Sequence, residues 1–456
     1  MTSPFLENLC TLITNSDEYS LEELPFVRQA FEDTLAAVFA GWAEPVTRKV
    51  ASVYGVEELT PDSVKGGSVE AAALLMGTSG HALDFDDVHQ ASHTHPSIPI
   101  VAALVAAAAE EPNLAGRMAT AFGVGLATNV ALGRVLGFSH YQKGWHATST
   151  IGPVAAAAAL SHLYGLDAGQ AAHALAIAAA QSGGLQRNFG QMAKPLQAGM
   201  AGAAAVRAAT LARAGLTADP DVFADKGYFD LYGGDQLATD PEQIEFDIKG
   251  GGISVKLYPC CYGNHRHIAN ALEIRESLRR EGIPLEKVHK LHADAACGAY
   301  TPLRVTDPAA GLEAKFCLSY NVAAALTDGQ ITLAHFEDQA VGRAELRSLM
   351  EKVSWSERPA GTEPPDGLQV AEVSLTASDA DGRELARAVC FANPGSPENP
   401  ATESQLEAKV ADCLAHYARR SGRPYDYDRF QGFVSGLFGQ AAAGGNRPVQ
   451  MALGDD

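Results

Sequence analysis

Alanine-rich helical stretches fill the first half of the chain, and they constrain the fold more than any other feature. The segments 96–109, 115–135, 151–164, 168–183 and 194–214 are rich in Ala, and strand-like alternation is almost absent there. Side chains this small let helix axes approach closely, so that each helix is buried on several sides by its neighbours. Hydrophobic residues make up 46% of the 456 residues and aromatics only 7%, so the core is built from Ala, Leu and Val rather than from rings. A capping box of Ser20 and Glu23 is expected to open a helix carrying Val27, Phe31, Leu35, Val38 and Phe39 on one face. The expectation over 1–255 is an all-helical domain.

The pattern changes after Lys249. Gly250-Gly251-Gly252 leads through Lys256-Leu257-Tyr258-Pro259 into a helix expected at 264–280. A strand over 285–296, helices over 312–327 and 342–353, and a hairpin follow. In the hairpin, Ala371, Val373, Leu375 and Ala377 alternate before Asp381-Gly382, with Leu385, Val389 and Phe391 after it. The reading is mainly α: a large helical domain, a smaller α+β lid domain over 256–398, and helices over 399–445 that pack back on the first domain. The tail after Ala441 is expected to fray.

Lys and Arg number 34 against 54 Asp and Glu, a net charge of −20 that repels phosphate backbones and anionic bilayers. Nucleic acid and membrane are therefore not expected partners. Seven cysteines, odd in number and unevenly spaced, argue against a disulfide framework and for a reducing compartment. With no basic leader before Asn15, and with the longest apolar run (98–109) ending in Glu110-Glu111, a cytoplasmic location is expected. Gly123-Val-Gly125 sits inside a helical stretch with Thr128 where a third glycine belongs, so a dinucleotide site is not indicated.

Four polar clusters carry the chemistry. The first runs from His81 to Ser97 and packs Asp84, Asp86 and Asp87 with His81, His89, His93 and His95 into fifteen residues. Helix capping accounts for some of these carboxylates, and Asp84, His89, His93 and His95 offer metal-type ligands. A metal-free polar site is the favoured reading, because one loop cannot readily turn all these groups inward. The second cluster holds Tyr141, Lys143, Trp145, His146 and Thr148-Ser149-Thr150, whose hydroxyls suit the cap of a helix starting near Ile151 and whose free amides would welcome a carboxylate. The third holds Lys194 before Pro195, a cation placed against the helix dipole and so in need of a reason. In the fourth, Lys256 and His265 flank Cys260-Cys261; no Cys-x-x-Cys spacing occurs, so buried thiols are the simpler account.

In this order, the stretches resemble the MmgE/PrpD family: His81-Ala-Leu-Asp84-Phe-Asp86-Asp87 with His95-Pro96-Ser97, Gly144-Trp145-His146-Ala-Thr148, Asn188-Phe189-Gly190 with Lys194-Pro195-Leu196, Lys256-Leu-Tyr258-Pro259-Cys260-Cys261, and Ala314-Lys315-Phe316. The resemblance implies a homodimer whose active site lies between the domains and needs neither metal nor cofactor. It also implies small polycarboxylate substrates attacked beside a carboxyl-bearing carbon, as in 2-methylcitrate dehydratase, cis-aconitate decarboxylase and iminodisuccinate epimerase. Carried over by motif, the catalytic set is Asp84, His95, Tyr141, His146 and Lys194, with Lys256, His265, Cys261 and Thr148 binding substrate. Two departures stand out: Ala147 replaces a common proline, and Cys261 occupies a place where the decarboxylase carries a histidine. The second counts against decarboxylation.

Removing a proton next to a carboxylate requires a positioned base and donors that hold an enediolate-like transition state. Lys194, Lys256 and His146 can supply these, and two neighbouring buried lysines are expected to have depressed pKa values, making one a neutral base. Tyr141, His95 or His146 then serves as the acid. A hydro-lyase is the leading expectation and an epimerase the alternative. A decarboxylase and a non-catalytic carboxylate-binding protein stand behind them.

Overall fold

A computed structural model of the chain describes residues 3–54, 58–60, 63–65, 68–233, 237–249, 252–361 and 371–439. The Ala-rich stretches form the helices Ser97–Glu110, Met118–Gln142, Ala147–Tyr164, Ala168–Ala179 and Ala193–Arg213. Their closeness is backbone to backbone in places. A Cβ on Gly77, in the helix Val69–His81, would lie 2.7 Å from the Cα of Gly199. One long helix bends at Gly137, whose φ of 63° and ψ of −169° only glycine adopts readily, and the bend re-aims Phe138 and Tyr141.

Two helix starts differ from expectation. The Glu23 carboxylate does accept from the Ser20 amide (2.8 Å) and hydroxyl (3.0 Å), but it closes a turn, and the helix begins later, at Pro25. Proline at the first helical position is pre-set for that start. An earlier helix, Pro4–Asn15, was not anticipated; Ser3 caps it by accepting from the Leu6 amide. Val27, Phe31, Leu35, Val38 and Phe39 are all fully buried. Burying each such side chain is worth about 1.5–3 kcal/mol. A short hairpin, Glu58–Thr60 with Ser63–Lys65, is the one pair of strands described in this half.

One apolar core gathers residues from Phe5 to Ile244, and takes in Leu333 and residues from Val410 to Phe438. The late members come from the helices Glu403–Ser421 and Tyr427–Leu437 and the residues beside them; Tyr417, Tyr425 and Phe430 set their rings edge-on around Phe39, with centroids 4.6–5.8 Å away. A second core runs from Cys260 to Ala388. It lies on a four-stranded sheet in the order Val353–Glu357, Lys290–Ala295, Val373–Ser378, Glu384–Cys390. The first pair is parallel and the others antiparallel, and Leu291 pairs with both Val353 and Ala377. The expected helix over 312–327 is two pieces, Gly311–Ala314 and Leu318–Asp328, and the stretch 342–353 is the helix Ala344–Met350 followed by a strand.

All seven cysteines are free. Among the described residues one helical stretch, 112–142, is long and apolar enough to cross a membrane, and 78% of its most apolar window is buried inside the domain. The expected fraying after Ala441 lies outside the described residues, as do Gly250 and Gly251.

Candidate active site

The loop between the helices Val69–His81 and Ser97–Glu110 is the centre of the site. Its middle is pinned by neighbours: Val88 bridges to Ser254 through 2.9 and 2.8 Å backbone bonds, and Asp87 takes the Ser97 hydroxyl and amide. Burial pushes the Asp87 carboxyl up to about 8, so it is mostly protonated at neutral pH. Three residues before Asp87, Asp84 sits in the left-handed region (φ 52°), which a short polar residue tolerates better than most.

Asp84 is where the clusters meet. Its Oδ1 lies 2.6 Å from the Lys194 ammonium and 3.0 Å from that of Lys256, which also donates to the Asp84 carbonyl at 2.9 Å. Burial alone would raise the Asp84 carboxyl, but Lys194 and Lys256 overcome it and hold it well below the usual carboxylate range. The reason for a lysine in the first turn of Ala193–Arg213 is therefore this carboxylate, together with the rings of Phe189 and Phe316 at 5.2 and 5.4 Å from its ammonium. The expectation of depressed lysines fails at Lys256. Burial would depress its ammonium, yet Asp84 and Asp86 outweigh burial and hold it above its ordinary value.

Three imidazoles surround the ion pair. His81 Nδ1 is 2.8 Å from the Asp86 carboxylate, and its ring meets that of His95 edge-on at 4.5 Å and lies parallel to His146 at 5.7 Å. His95 reaches Asp84 at 3.7 Å and Asp86 at 3.5 Å. Burial, then Lys256 and Lys194, hold His95 well below its ordinary pKa; burial and Lys194 do the same to His146. Both rings are thus neutral. His146 Nδ1 bonds Gln197 Oε1 at 2.8 Å, which leaves Nε2 as the lone-pair nitrogen, buried and without a hydrogen-bond partner.

Thr148 to Thr150 do not cap a helix. The helix starts at Ala147 with His146 at its N-cap, and the hydroxyls are used elsewhere. Thr148 accepts from the His95 amide (2.9 Å), Ser149 donates to the Gln197 carbonyl (3.0 Å) and Thr150 bonds His140 (2.7 Å). They hold the His95 loop and the Gln197 helix to the His146 turn, and do not offer a free anion nest.

A cavity of about 170 Å³ opens over this group. Asp84, His95, His146 and Lys194 form part of its wall, as do Tyr141, Thr148 and Cys261. Burial, reinforced by Cys261 and Asp84, keeps the Tyr141 hydroxyl protonated, and burial pushes the Cys261 thiol up to about 11. Lys256 and His265 do not reach the wall. Lys256 is fully buried behind Asp84, and His265 is fully buried with its ring 5.1 Å from that of Tyr258 and 4.9 Å from that of Tyr262.

Of the metal-type set read from the first cluster, His89 bonds Ser92 (3.0 Å) and His93 lies against Phe138, so neither turns toward Asp84. His81, Asp84, Asp86 and His95 do bring ligand-type atoms within 4.8 Å of one another. Two ammonium groups on Asp84, however, occupy the charge a divalent cation would seek. Reading the sequence singled out neither the Asp86–His81 pair nor Gln197 as site residues. The signal for Gln197 was present: it stands three residues after Lys194, on the same helix face.

Residues 7–240 match the family model of the MmgE/PrpD N-terminal domain, and 258–423 that of the MmgE/PrpD C-terminal domain. The cis-aconitate decarboxylase of Homo sapiens is 27% identical over 368 residues, covering 76% of this chain and 75% of that protein. That of Mus musculus is 27% identical over 375 residues, with 76% and 74% covered. The cis-aconitate decarboxylase-like protein oryM of Aspergillus oryzae is 28% identical over 312 residues, with 62% and 64% covered. With both family domains matched in order, on either side of the junction between the two apolar cores, the chain belongs to the MmgE/PrpD family.

Proposed function

We propose that the protein is a lyase that removes a proton α to a carboxylate of a small di- or tricarboxylate, with no metal or cofactor. Family membership and the decarboxylase relatives support the lyase class. The observation that carries the reading is one cavity wall holding the Lys194 ammonium beside two neutral imidazoles, His95 and His146. The ammonium anchors the substrate carboxylate and stabilises the enediolate as charge builds on it. His146 Nε2, deprotonated and oriented by Gln197, takes the proton. Tyr141 stays protonated and is the acid that meets a leaving hydroxyl or the opposite face of the carbanion.

Dehydration is the leading reaction, and epimerisation uses the same abstraction with reprotonation from the Tyr141 side. Decarboxylation of a cis-aconitate-like acid is favoured by the relatives' names, but Cys261 stands where the resemblance gives that enzyme a histidine. The test is proton NMR of a panel of small polycarboxylates, including 2-methylcitrate and cis-aconitate, incubated with the protein in deuterated buffer. Exchange or loss of an α-proton is expected, and its product distinguishes the reactions. A folded protein that exchanges no proton across the panel overturns the reading in favour of a carboxylate binder.

A further inference from the structure

The carbonyls of two successive residues at the heart of the site are each held by a buried ammonium group. Lys256 takes the Asp84 carbonyl, and Lys409 takes the Phe85 carbonyl at 2.8 Å. Lys409 comes from the helix Glu403–Ser421, more than 300 residues away in sequence, and is 5% exposed. It is anchored by Asp33, from the helix Pro25–Gly41, at 2.5 Å, and its ammonium sits 4.3 Å from the centre of the Phe85 ring. Asp33 is 3% exposed, and its second oxygen, Oδ2, has no hydrogen-bond partner. Burying an ammonium and a carboxylate together costs desolvation that their attraction only partly repays, and an apolar pair of similar size often serves stability as well. Stability is therefore a weak reason for this pair.

The geometry points to Lys409 and Asp33 as positioning residues of the site: the ammonium fixes the Phe85 carbonyl and so locks Asp84 in the left-handed conformation that presents its Oδ1 to Lys194 and Lys256. A backbone at φ 52° persists only where its surroundings over-determine it. With the Phe85 carbonyl released, the Phe85–Asp86 peptide is free to rotate, and the turn that begins at Asp84 is held by Lys256 alone. Such a rotation carries the carboxylate away from Lys194. The consequence for turnover rests on the proposed lyase reading; the consequence for the loop does not.

The test is the double variant Lys409→Met with Asp33→Asn, which removes the pair as a unit and leaves no buried unpaired charge, beside Lys409→Arg as the conservative change. In the full chain, amide hydrogen exchange read by mass spectrometry is expected to speed up at least about tenfold in peptides covering 82–90. Peptides from the helices 25–41 and 403–421 are expected to keep their protection. A purely structural pair gives the opposite pattern, with those two helices deprotected and the loop unchanged, and that result overturns the inference. With whichever acid of the panel turns over, kcat of the double variant is expected to fall at least tenfold, with KM moving less than threefold and Lys409→Arg recovering part of kcat. A folded double variant with unchanged kcat overturns the catalytic consequence, provided Lys194→Ala is inactive in the same assay. If Lys194→Ala is fully active, the lyase reading has failed instead, and the exchange pattern alone judges the loop.

Discussion

Replacing Asp84 by Asn keeps the shape of the side chain and removes the charge that two buried ammonium groups share. Lys194 is 4% exposed and Lys256 fully buried, so neither can recruit water in compensation. Breaking a buried ion pair from one side costs about 3–5 kcal/mol. An independent bound comes from the escape route, which is release of a proton by one lysine. At pH 7 that costs about 1.36 kcal/mol for each of the roughly 3.4 units separating the solution from an ordinary lysine pKa of about 10.4, or about 4.6 kcal/mol. The two figures agree. At pH 9 the same route costs only about 1.9 kcal/mol, so the penalty must shrink as the pH rises. In linkage terms the variant's native state sheds a proton that its unfolded chain keeps, and stability climbs with pH wherever the unfolded state binds more protons. Thermal unfolding followed by circular dichroism at both pH values reads this directly. At about 2–4 °C per kcal/mol for a domain of some 150–250 residues, Asp84→Asn is expected to lower Tm by about 10 °C at pH 7 and by less than half that at pH 9. A loss under 3 °C, or one no smaller at pH 9, refutes the assignment of Asp84 as the shared counter-ion. In the wild type the same sign appears on the acid side: the Asp84 contribution is complete above the unfolded carboxyl pKa of about 3.9 and is lost as the pH falls through its depressed folded value.

Four further outcomes are expected. Lys194→Ala should lower turnover at least about 100-fold while leaving the helical circular dichroism signal intact, and near-normal turnover removes it from the mechanism. If neutral His146 is the base, the acid limb of kcat/KM lies well below the ordinary histidine range near 6.5, and a limb at that value contradicts the burial argument. Exhaustive chelation should leave activity unchanged; loss restored only by a divalent metal would return His81, Asp84, Asp86 and His95 to the role of ligands. Gly77→Ala should cost about 1–3 kcal/mol by forcing two helix backbones apart, measured as a lower urea midpoint with activity per folded molecule retained.

The helical half was legible because its information is local. Ala-rich runs need no partner to announce a helix, and their packing follows from side-chain size, so the five expected stretches and the buried face of Phe31 and Phe39 all appear in place. What escaped depended on distant context or on weak punctuation. The strand Val353–Glu357 is short and half polar, and only its parallel pairing with Lys290–Ala295 makes it a strand. The helix Pro4–Asn15 did carry a local signal, Ser3 followed by Pro4, but a short and isolated one.

The site divides in the same way. Asp84, His95, His146 and Lys194 were conspicuous because charge and imidazole inside apolar sequence are hard to place on a surface. Lys409 and Asp33 were invisible for the converse reason: each stands on an amphipathic helix where a charged residue reads as a solvated face, and only the fold reveals that the two faces meet beneath Phe85. The error about the lysines has the same root. Sequence places cations near one another but not the carboxylate between them, and that carboxylate reverses the sign of the effect at Lys256. Lys256, kept charged in this way and buried behind Asp84, cannot accept a substrate's proton, which in the proposed reaction leaves the role of base to the imidazole whose partner, Gln197, leaves Nε2 free.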